Sequence, residues 1–209
     1  MQNRIEKIKR LLKPFSGFVE SRDGLAATEF ALLTSLFFIP LFFGMLEGSQ
    51  LLLSNRRMTT ATNAVADIVA QSEDVSRDDL DAAMEIGREM LGEQDLTNFT
   101  KFRILSVVRD PDDDTQLLVH WSRDKDQDES ATGQIYDGIS DVERVHPDSS
   151  LIVVEMEFEY TSGLTQKVFD NPFTFARNSV RWPRIDFFIQ LCNDVENNIN
   201  CSETPMPNG

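Results

Sequence analysis

An apolar run of 22 residues, Leu25 to Leu46, constrains this chain more than any other feature of its sequence. Its only charged residue is Glu29. A helix of this length covers roughly 33 Å, which is enough to cross the hydrocarbon of a bilayer. A soluble domain of this size rarely hides a helix that is apolar on every side. The run therefore predicts one transmembrane helix, which Pro40 is expected to kink or locally unwind.

The charge of the chain is divided at the start of this run. Residues 1–24 hold six basic and three acidic residues, so they carry +3. The net charge of the whole chain is −15, so the remaining 185 residues carry −18. The positive-inside rule predicts a cytoplasmic N-terminus and an acidic bulk on the other side of the membrane. The same acidity argues against a nucleic-acid partner. A cleaved secretory signal is the alternative, but its apolar core would be shorter, and Glu47-Gly48-Ser49-Gln50 is not a small-residue cleavage site.

Glu29 is the most informative residue of the run, because a carboxylate inside an apolar helix costs about 2.5 to 3.5 kcal/mol on insertion scales. In the intact chain Arg22 could approach it from the interface. A cut between Gly24 and Leu25 would instead create an amine about one helical turn from Glu29. The amine of a neighbouring copy could pair with Glu29 equally well, and the carboxylate would then dock two helices in lipid.

These residues resemble a known family. The stretch from Arg22 to Phe30 is similar to the class III signal of type IV pilin-like proteins, and more closely to the RxGxxAxEFAL signature of TadE/TadG-like pilus assembly proteins. Those proteins are pseudopilins of the tight-adherence (Flp) pilus of bacteria. The similarity continues through Asn55-Arg56-Arg57 into a segment, 64–71, that resembles the "VADLVAQ" helix of alphaproteobacterial members, and more loosely into Leu151–Glu155 and Trp182-Pro183-Arg184.

The resemblance implies a role for each of four residues. Gly24 would be the last leader residue recognised by a prepilin peptidase, and Leu25, where Ala or Phe is common, would be the first mature residue. Glu29 and Phe30 would serve assembly by helix docking. The implied partners are other pilins or pseudopilins and the Tad secretion machinery, in the bacterial inner membrane, with no cofactor and no small-molecule substrate. The Asp-x-Ser-x-Ser metal site of larger members does not occur in the sequence.

Beyond the apolar run the patterns predict an α+β fold with an antiparallel sheet and a second helix, and the resemblance implies that this fold is pilin-like. The first helix is expected to continue to about Gln71, with Met58, Ala61, Val65 and Ile68 on its apolar face. Its small residues would contact either the protein's own sheet or another subunit. Ser76 is a candidate N-cap of a second helix that ends near Gly92. Alternation predicts strands at 101–109, 117–122, 154–160, 173–182 and 185–191, and a loop at 123–150 with a short helix near Ser140 to Arg144.

These patterns give a five-part organisation. It comprises a basic cytoplasmic leader at 1–24, a transmembrane helix at 25–46, its periplasmic extension at 47–74, a periplasmic α+β domain at 75–191 and a C-terminal tail at 192–209. Cys192 and Cys201 are the only cysteines, and in an oxidising compartment they predict a disulfide that closes the tail.

No constellation of catalytic residues accompanies this organisation. Asp124 to Asp128 alternates acids as a calcium loop does, but Glu129 and Ile135 stand where such a loop needs Gly and Glu, so a solvated acidic loop is favoured. Glu155, Glu157 and Glu159 predict a solvated face or a contact with a basic partner. His120 and His146 are isolated, and Trp121 and Trp182 are expected in the core.

Two hypotheses for function remain. The first is a minor pilin or pseudopilin, not an enzyme, that takes part in pilus assembly through its N-terminal helix and its periplasmic domain. The second is a membrane-anchored binding or adhesion module that uses the helix only as a tether.

Overall fold

The computed structural model describes residues 22–92, 99–160, 173–193 and 201–202. The chain divides into two units, Met1–Ser49 and Gln50–Gly209. Helix α1, Arg22–Ala70, contributes to both units, and it ends one residue before the predicted limit at Gln71. It continues through Pro40 without a break, so the local unwinding expected there is absent.

Helix α2, Arg77–Leu91, begins and ends where the sequence predicts. The Ser76 hydroxyl accepts a hydrogen bond from the Asp79 backbone N–H, and the Asp79 carboxylate accepts one from the Ser76 N–H at 2.9 Å, which makes a capping box. Gly92 ends the helix with a φ of 79°, a conformation that glycine adopts without strain. The predicted apolar face is the buried face: Leu80, Ala83, Met84, Gly87 and Leu91.

The main sheet has four antiparallel strands. Strand β2 is Phe99–Arg109, strand β3 is Leu117–Asp124, strand β4 is Leu151–Tyr160 and strand β5 is Phe173–Arg181. Their order in the sheet is β3-β2-β4-β5. Strand β4 is central and pairs with β2 on one side and β5 on the other. The α+β prediction is therefore confirmed, and four of the five predicted strands are present.

The fifth predicted strand, 185–191, is wrong. Only Leu191–Cys192 (β6) is extended and paired there, in parallel with the two-residue strand β1, Val75–Ser76. The segment before it is held by single hydrogen bonds rather than by a ladder. The Phe187 carbonyl accepts from the Ser150 N–H at 2.8 Å, and the Ile189 carbonyl accepts from the Trp121 indole at 2.7 Å.

The two tryptophans have different environments. Trp121 is 1% exposed, as a core residue should be. Trp182 follows the last residue of β5 and is 47% exposed, so its assignment to the core is wrong. Alternation through 173–182 could not distinguish the end of a strand from the first residue beyond it.

One face of the sheet packs on both helices. From α1 the buried residues are Met58, Ala61, Thr62, Val65, Ala66, Val69 and Ala70. All of them except Thr62 and Ala70 belong to one core cluster with Phe102, Ile104, Val154 and Met156 of the sheet. Ala61 and Ala66, two of the small residues of α1, therefore pack with the protein's own sheet, one of the two expected outcomes. Ile68, which the sequence analysis places on the apolar face, is 39% exposed, and the neighbouring Val69 is buried instead.

The opposite face of the sheet carries a second, smaller core. Leu105, Val107, Leu117, Val119, Leu151 and Val153 lie on it, and Tyr136 and Val145 from the loop after β3 cover them. Within this loop Val142–Arg144 forms a 3₁₀ turn, where a short helix is predicted. The backbone N–H groups of Gly133 and Tyr136 also bond to the carbonyls of Val119 and Leu117, both at 2.7 Å, so the loop covers the outer edge of β3.

Candidate membrane-spanning and assembly site

The first unit presents an apolar surface on every side of helix α1. Its large hydrophobic side chains between Leu25 and Leu46 are between 45% and 73% exposed. In the described part of the chain, α1 is the one helix long and apolar enough to cross a membrane. A helix that buries its apolar face against protein would not leave these side chains open. Membrane anchoring is consistent with this surface.

Three hydroxyl groups of the first unit donate hydrogen bonds to carbonyls of the helix itself. The Thr28 hydroxyl donates to the Leu25 carbonyl at 2.8 Å, Ser35 donates to Ala31 at 2.8 Å, and Ser49 donates to Met45 at 2.7 Å. Such bonds to the preceding turn remove polar groups from contact with hydrocarbon, which cannot hydrogen-bond them. A hydrogen bond of this kind cannot neutralise the carboxylate of Glu29.

The four residues singled out by the sequence lie at the start of α1. Leu25 is 62% exposed, Phe30 is 72% exposed, and Glu29 is also exposed. Leu25 and Glu29 are four residues apart in one helix, so they lie on the same side, one turn from each other. No described side chain forms an ion pair with Glu29. The Gly24–Leu25 peptide bond lies within the helical residues of α1.

A row of polar contacts that the sequence analysis missed joins α1 to the edge strand β5 in the second unit. We call it the α1–β5 ladder; from α1 it uses Asn55, Thr59, Asn63 and Asp67, and from β5 it uses Arg177, Ser179 and Arg181. Arg177 donates to Asn55 at 2.6 Å, Ser179 donates to Asn63 at 2.8 Å, and Arg181 donates to Asn63 at 3.0 Å and to Asp67 at 2.8 Å.

The geometry of the ladder follows from the two backbone repeats. Four residues of α-helix rise about 6 Å, and two residues of a β-strand span about 6.6 Å. Side chains spaced by four on the helix and by two on the strand therefore stay in register over a short distance.

Arg184 donates a further bond to Asp67 at 2.8 Å. The hydrogen bond from Arg181 is the main reason that the pKa of Asp67 lies below its ordinary range. The sequence signal that could have predicted the ladder is the pattern N-x₃-T-x₃-N-x₃-D on α1 together with R-x-S-x-R on β5.

Glu155 does not belong to a solvated acidic face. Its side chain is 12% exposed and accepts bonds from Lys101 at 2.7 Å, from Arg103 at 2.5 Å and from the Tyr136 hydroxyl at 2.8 Å. Burial opposes ionisation, but these donors outweigh it and hold the pKa of Glu155 below its ordinary value. Burial, and then the neighbouring Glu155 charge, raise the pKa of Tyr136. Alternation placed Glu155 on the outer face correctly but could not show the loop that covers it.

The acids of residues 124–129 are engaged by groups of the protein itself. Asp124 accepts from the backbone N–H groups of Asp126 and Asp128, both at 2.8 Å, and Asp128 accepts from the Ser130 hydroxyl at 2.6 Å. Glu129 accepts from Arg77 at 2.8 Å, and this hydrogen bond is the main reason that its pKa is low. Across the described ranges, no group of three potential ligands could hold a metal ion.

The two cysteines are joined. The sulfur atoms of Cys192 and Cys201 are 2.04 Å apart, and the bond is the disulfide that the sequence predicts. Next to it, the Ser202 N–H donates to the Leu191 carbonyl at 2.9 Å, and Leu191 pairs with Val75 at the start of α2. The disulfide therefore fixes the end of the described chain beside the N-terminus of the second helix.

Comparison with known proteins supports the resemblance at the N-terminus. Residues 24–67 match the family model described as TadE-like protein. No curated protein and no solved structure matches the chain. The matched segment begins at Gly24, includes Leu25, Glu29 and Phe30, and ends at the last residue of the α1–β5 ladder on α1. Residues 24–67 are therefore similar to a TadE-like domain, and this similarity suggests involvement in Tad pilus assembly.

Proposed function

We propose that this chain, a TadE-like pilus assembly protein by residues 24–67, acts as a minor pilin or pseudopilin of the Tad (Flp) pilus. Residues 25–46 of α1 would span the bacterial inner membrane, with residues 1–24 in the cytoplasm and the α+β domain from residue 75 in the periplasm. The observation that carries the proposal is one carboxylate, Glu29, in an exposed apolar helix of a TadE-like domain. The role is assembly rather than catalysis.

Glu29 would act as the docking charge of the helix. A carboxylate in hydrocarbon needs a partner, and no described side chain supplies one. The amine that appears at Leu25 after cleavage, in the same copy or a neighbouring one, is a cation of suitable size and position. Phe30 and the other exposed apolar side chains would then pack against adjacent pilin helices by van der Waals contact.

A prepilin peptidase would cut the Gly24–Leu25 bond. The bond lies in the first turn of α1, where a helix frays at low cost, and glycine further weakens the helix by about 1 kcal/mol relative to alanine. The cut would remove the +3 segment and leave Leu25 at the new N-terminus. Protein extracted from membranes should therefore begin at Leu25 on N-terminal sequencing, and a chain that still begins at Met1 would contradict cleavage.

The docking role is tested by Glu29→Gln, with Glu47→Gln as the matched control on the same helix. Both substitutions remove one negative charge, but Glu47 lies beyond Leu46, outside the apolar run. We expect Glu29→Gln to reduce the number of surface pili at an unchanged amount of membrane-bound protein, and Glu47→Gln to leave pili in place. Unchanged pili in the Glu29→Gln strain would remove the docking role.

A helix exchange separates assembly from tethering. Residues 25–46 are replaced by an unrelated single-span helix of equal length that retains no acid, and the rest of the chain is kept. A subunit that docks through its helix should then fail to support pili. A binding or adhesion module that uses the helix only as a tether should function normally with the foreign anchor.

A further inference from the structure

Two arginines of the second unit stand apart from all other basic residues whose side chains the structure describes. Arg56 and Arg57 lie on α1, both are exposed, and neither forms an ion pair or a side-chain hydrogen bond with a residue that the structure describes. Every other lysine or arginine with a described side chain binds an acid, an amide or a carbonyl: Arg77, Arg88, Lys101, Arg103, Arg109, Arg123, Lys125, Arg144, Arg177, Arg181 and Arg184.

Two exposed leucines precede these arginines by one helical turn. Leu52 is 61% exposed and Leu53 is 49% exposed. Residues four apart on a helix are neighbours on its surface, so Leu52 lies beside Arg56 and Leu53 lies beside Arg57. We call these four residues the Leu-Arg cluster. Apolar side chains next to unpaired guanidinium groups form an amphipathic surface, which is typical of contact with the interface of a bilayer.

The position of the cluster along the helix selects its surroundings. Arg56 lies ten residues after Leu46, which is roughly 15 Å of helix beyond the apolar run. The headgroup layer occupies about 5 to 7 Å beyond the hydrocarbon on each side of a bilayer. Side chains leave a helix towards its N-terminus, which here is the direction of the apolar run, so long arginine side chains close much of the remaining distance. Leu52 and Leu53 lie closer still.

We propose that the Leu-Arg cluster is a lipid-binding site that holds the second unit against anionic phospholipid headgroups. The inference rests on insertion of residues 25–46 in a membrane but not on which side the second unit occupies. The chain beyond residue 24 carries −18 and as a whole would be repelled by an anionic surface, so attraction to that surface requires basic groups that no described acid neutralises. Arg56 and Arg57 supply the attraction, and the leucines enter the boundary between headgroups and acyl chains.

The test uses the full chain in nanodiscs that hold a single copy. Thr60 is exposed one turn after Arg56, and Thr60→Cys provides a unique thiol because Cys192 and Cys201 are bonded to each other. An environment-sensitive fluorophore on this thiol reports contact with lipid. Emission is compared between discs of phosphatidylcholine and discs that also contain phosphatidylglycerol. The variant is Arg56→Gln/Arg57→Gln, and the matched control is Lys125→Gln/Arg144→Gln, which removes two positive charges elsewhere on the second unit, one half-buried and one exposed.

We expect brighter, blue-shifted emission in the phosphatidylglycerol discs for the parent and for the control, and no such difference for the Arg56→Gln/Arg57→Gln variant. Each basic residue near an anionic surface changes the docking equilibrium about fivefold, so the two together change it about 25-fold. High salt should weaken the effect. Equal emission in both lipids, or a difference that survives in the variant, would overturn the proposal.

Two further outcomes are separable. A difference that depends on Arg56 and Arg57 but arises only in discs with two copies would mean that the cluster binds an acidic protein surface, and it would overturn the lipid site. Failure of the chain to float with lipid at all would contradict membrane insertion, and therefore the proposed function, before the cluster is tested.

Discussion

The guanidinium of Arg181 on strand β5 donates from Nε to the Asp67 carboxylate on helix α1 at 2.8 Å. This bond joins the helix that carries the apolar run to the edge strand of the sheet. Arg184 shares the same carboxylate oxygen, so Asp67 faces two cations. Removal of the carboxylate leaves both without an acid.

We expect Asp67→Asn and Arg181→Gln each to lower the thermal midpoint of the second unit. The two changes should act on one interaction, so the double variant should lose less than the sum of the single losses. Arg144→Gln, which breaks an exposed pair with Asp141, serves as the control and should change little. The measurement is thermal unfolding of the full chain in detergent, and strict additivity of the two losses would show that the pair is not coupled.

Glu155 should make the stability of the domain depend on pH. Its folded pKa lies below the ordinary value of 4.5, so the stabilisation is complete above about pH 4.5 and is lost as the pH falls below that value. Glu155→Gln should cost about 2 kcal/mol at neutral pH, because it leaves Arg103 and Lys101 without their acid. The variant should also lose less stability than the wild type on acidification. Equal losses of the two proteins in denaturant titrations at both pH values would contradict the assignment.

Gly87 of α2 packs tightly against α1 and the sheet. A Cβ atom there would lie 2.9 Å from both Phe102 Cζ and Val65 Cγ2 and 3.1 Å from Met156 Cε. Overpacking of this kind costs about 1 to 3 kcal/mol, which exceeds the gain of about 1 kcal/mol from helix propensity. Gly87→Ala should therefore destabilise the domain by about 1 kcal/mol. The exposed Ala82→Gly measures the propensity alone, and stabilisation by Gly87→Ala of the same size would mean that the contact is not tight.

The disulfide should stabilise the second unit through the unfolded state. Cys192 and Cys201 are nine residues apart, and closure of so short a loop contributes about 2 to 3 kcal/mol in the chain-entropy model. Cys192→Ser/Cys201→Ser should lower the free energy of unfolding by that amount under oxidising conditions. Added reductant should lower the wild type to the level of the variant and leave the variant unchanged. A variant as stable as the oxidised wild type would show that the bond contributes nothing.

Elements governed by local patterns could be predicted. Ser76, Asp79 and Gly92 specify the limits of α2 because capping depends on residues next to the helix end. Alternation gave β2 to β5 because successive side chains of a strand point to opposite faces of the sheet. The segment 185–191 failed because its residues bond singly to Ser150 and Trp121, contacts that no local period encodes.

The candidate site was predictable in part for the same reason. The apolar run, with Glu29 inside it, is a property of one helix and can be read along the chain. The α1–β5 ladder needs contacts across more than 100 residues, for example between Asn63 and Ser179, and the engaged state of Glu155 needs a loop whose course the sequence does not specify.

The α1–β5 ladder also selects a single longitudinal position for α1. A displacement of the helix by one turn would bring either Leu51 or Gln71 into the row of polar groups. Leu51 cannot accept from Arg177, and Gln71 lies beyond the last residue of the helix at Ala70. A one-turn ratchet is a recognised way for packed helices to switch between states. The ladder disfavours a one-turn shift of α1. A force along the axis of α1 within the second unit would therefore have to break the ladder before the helix could move.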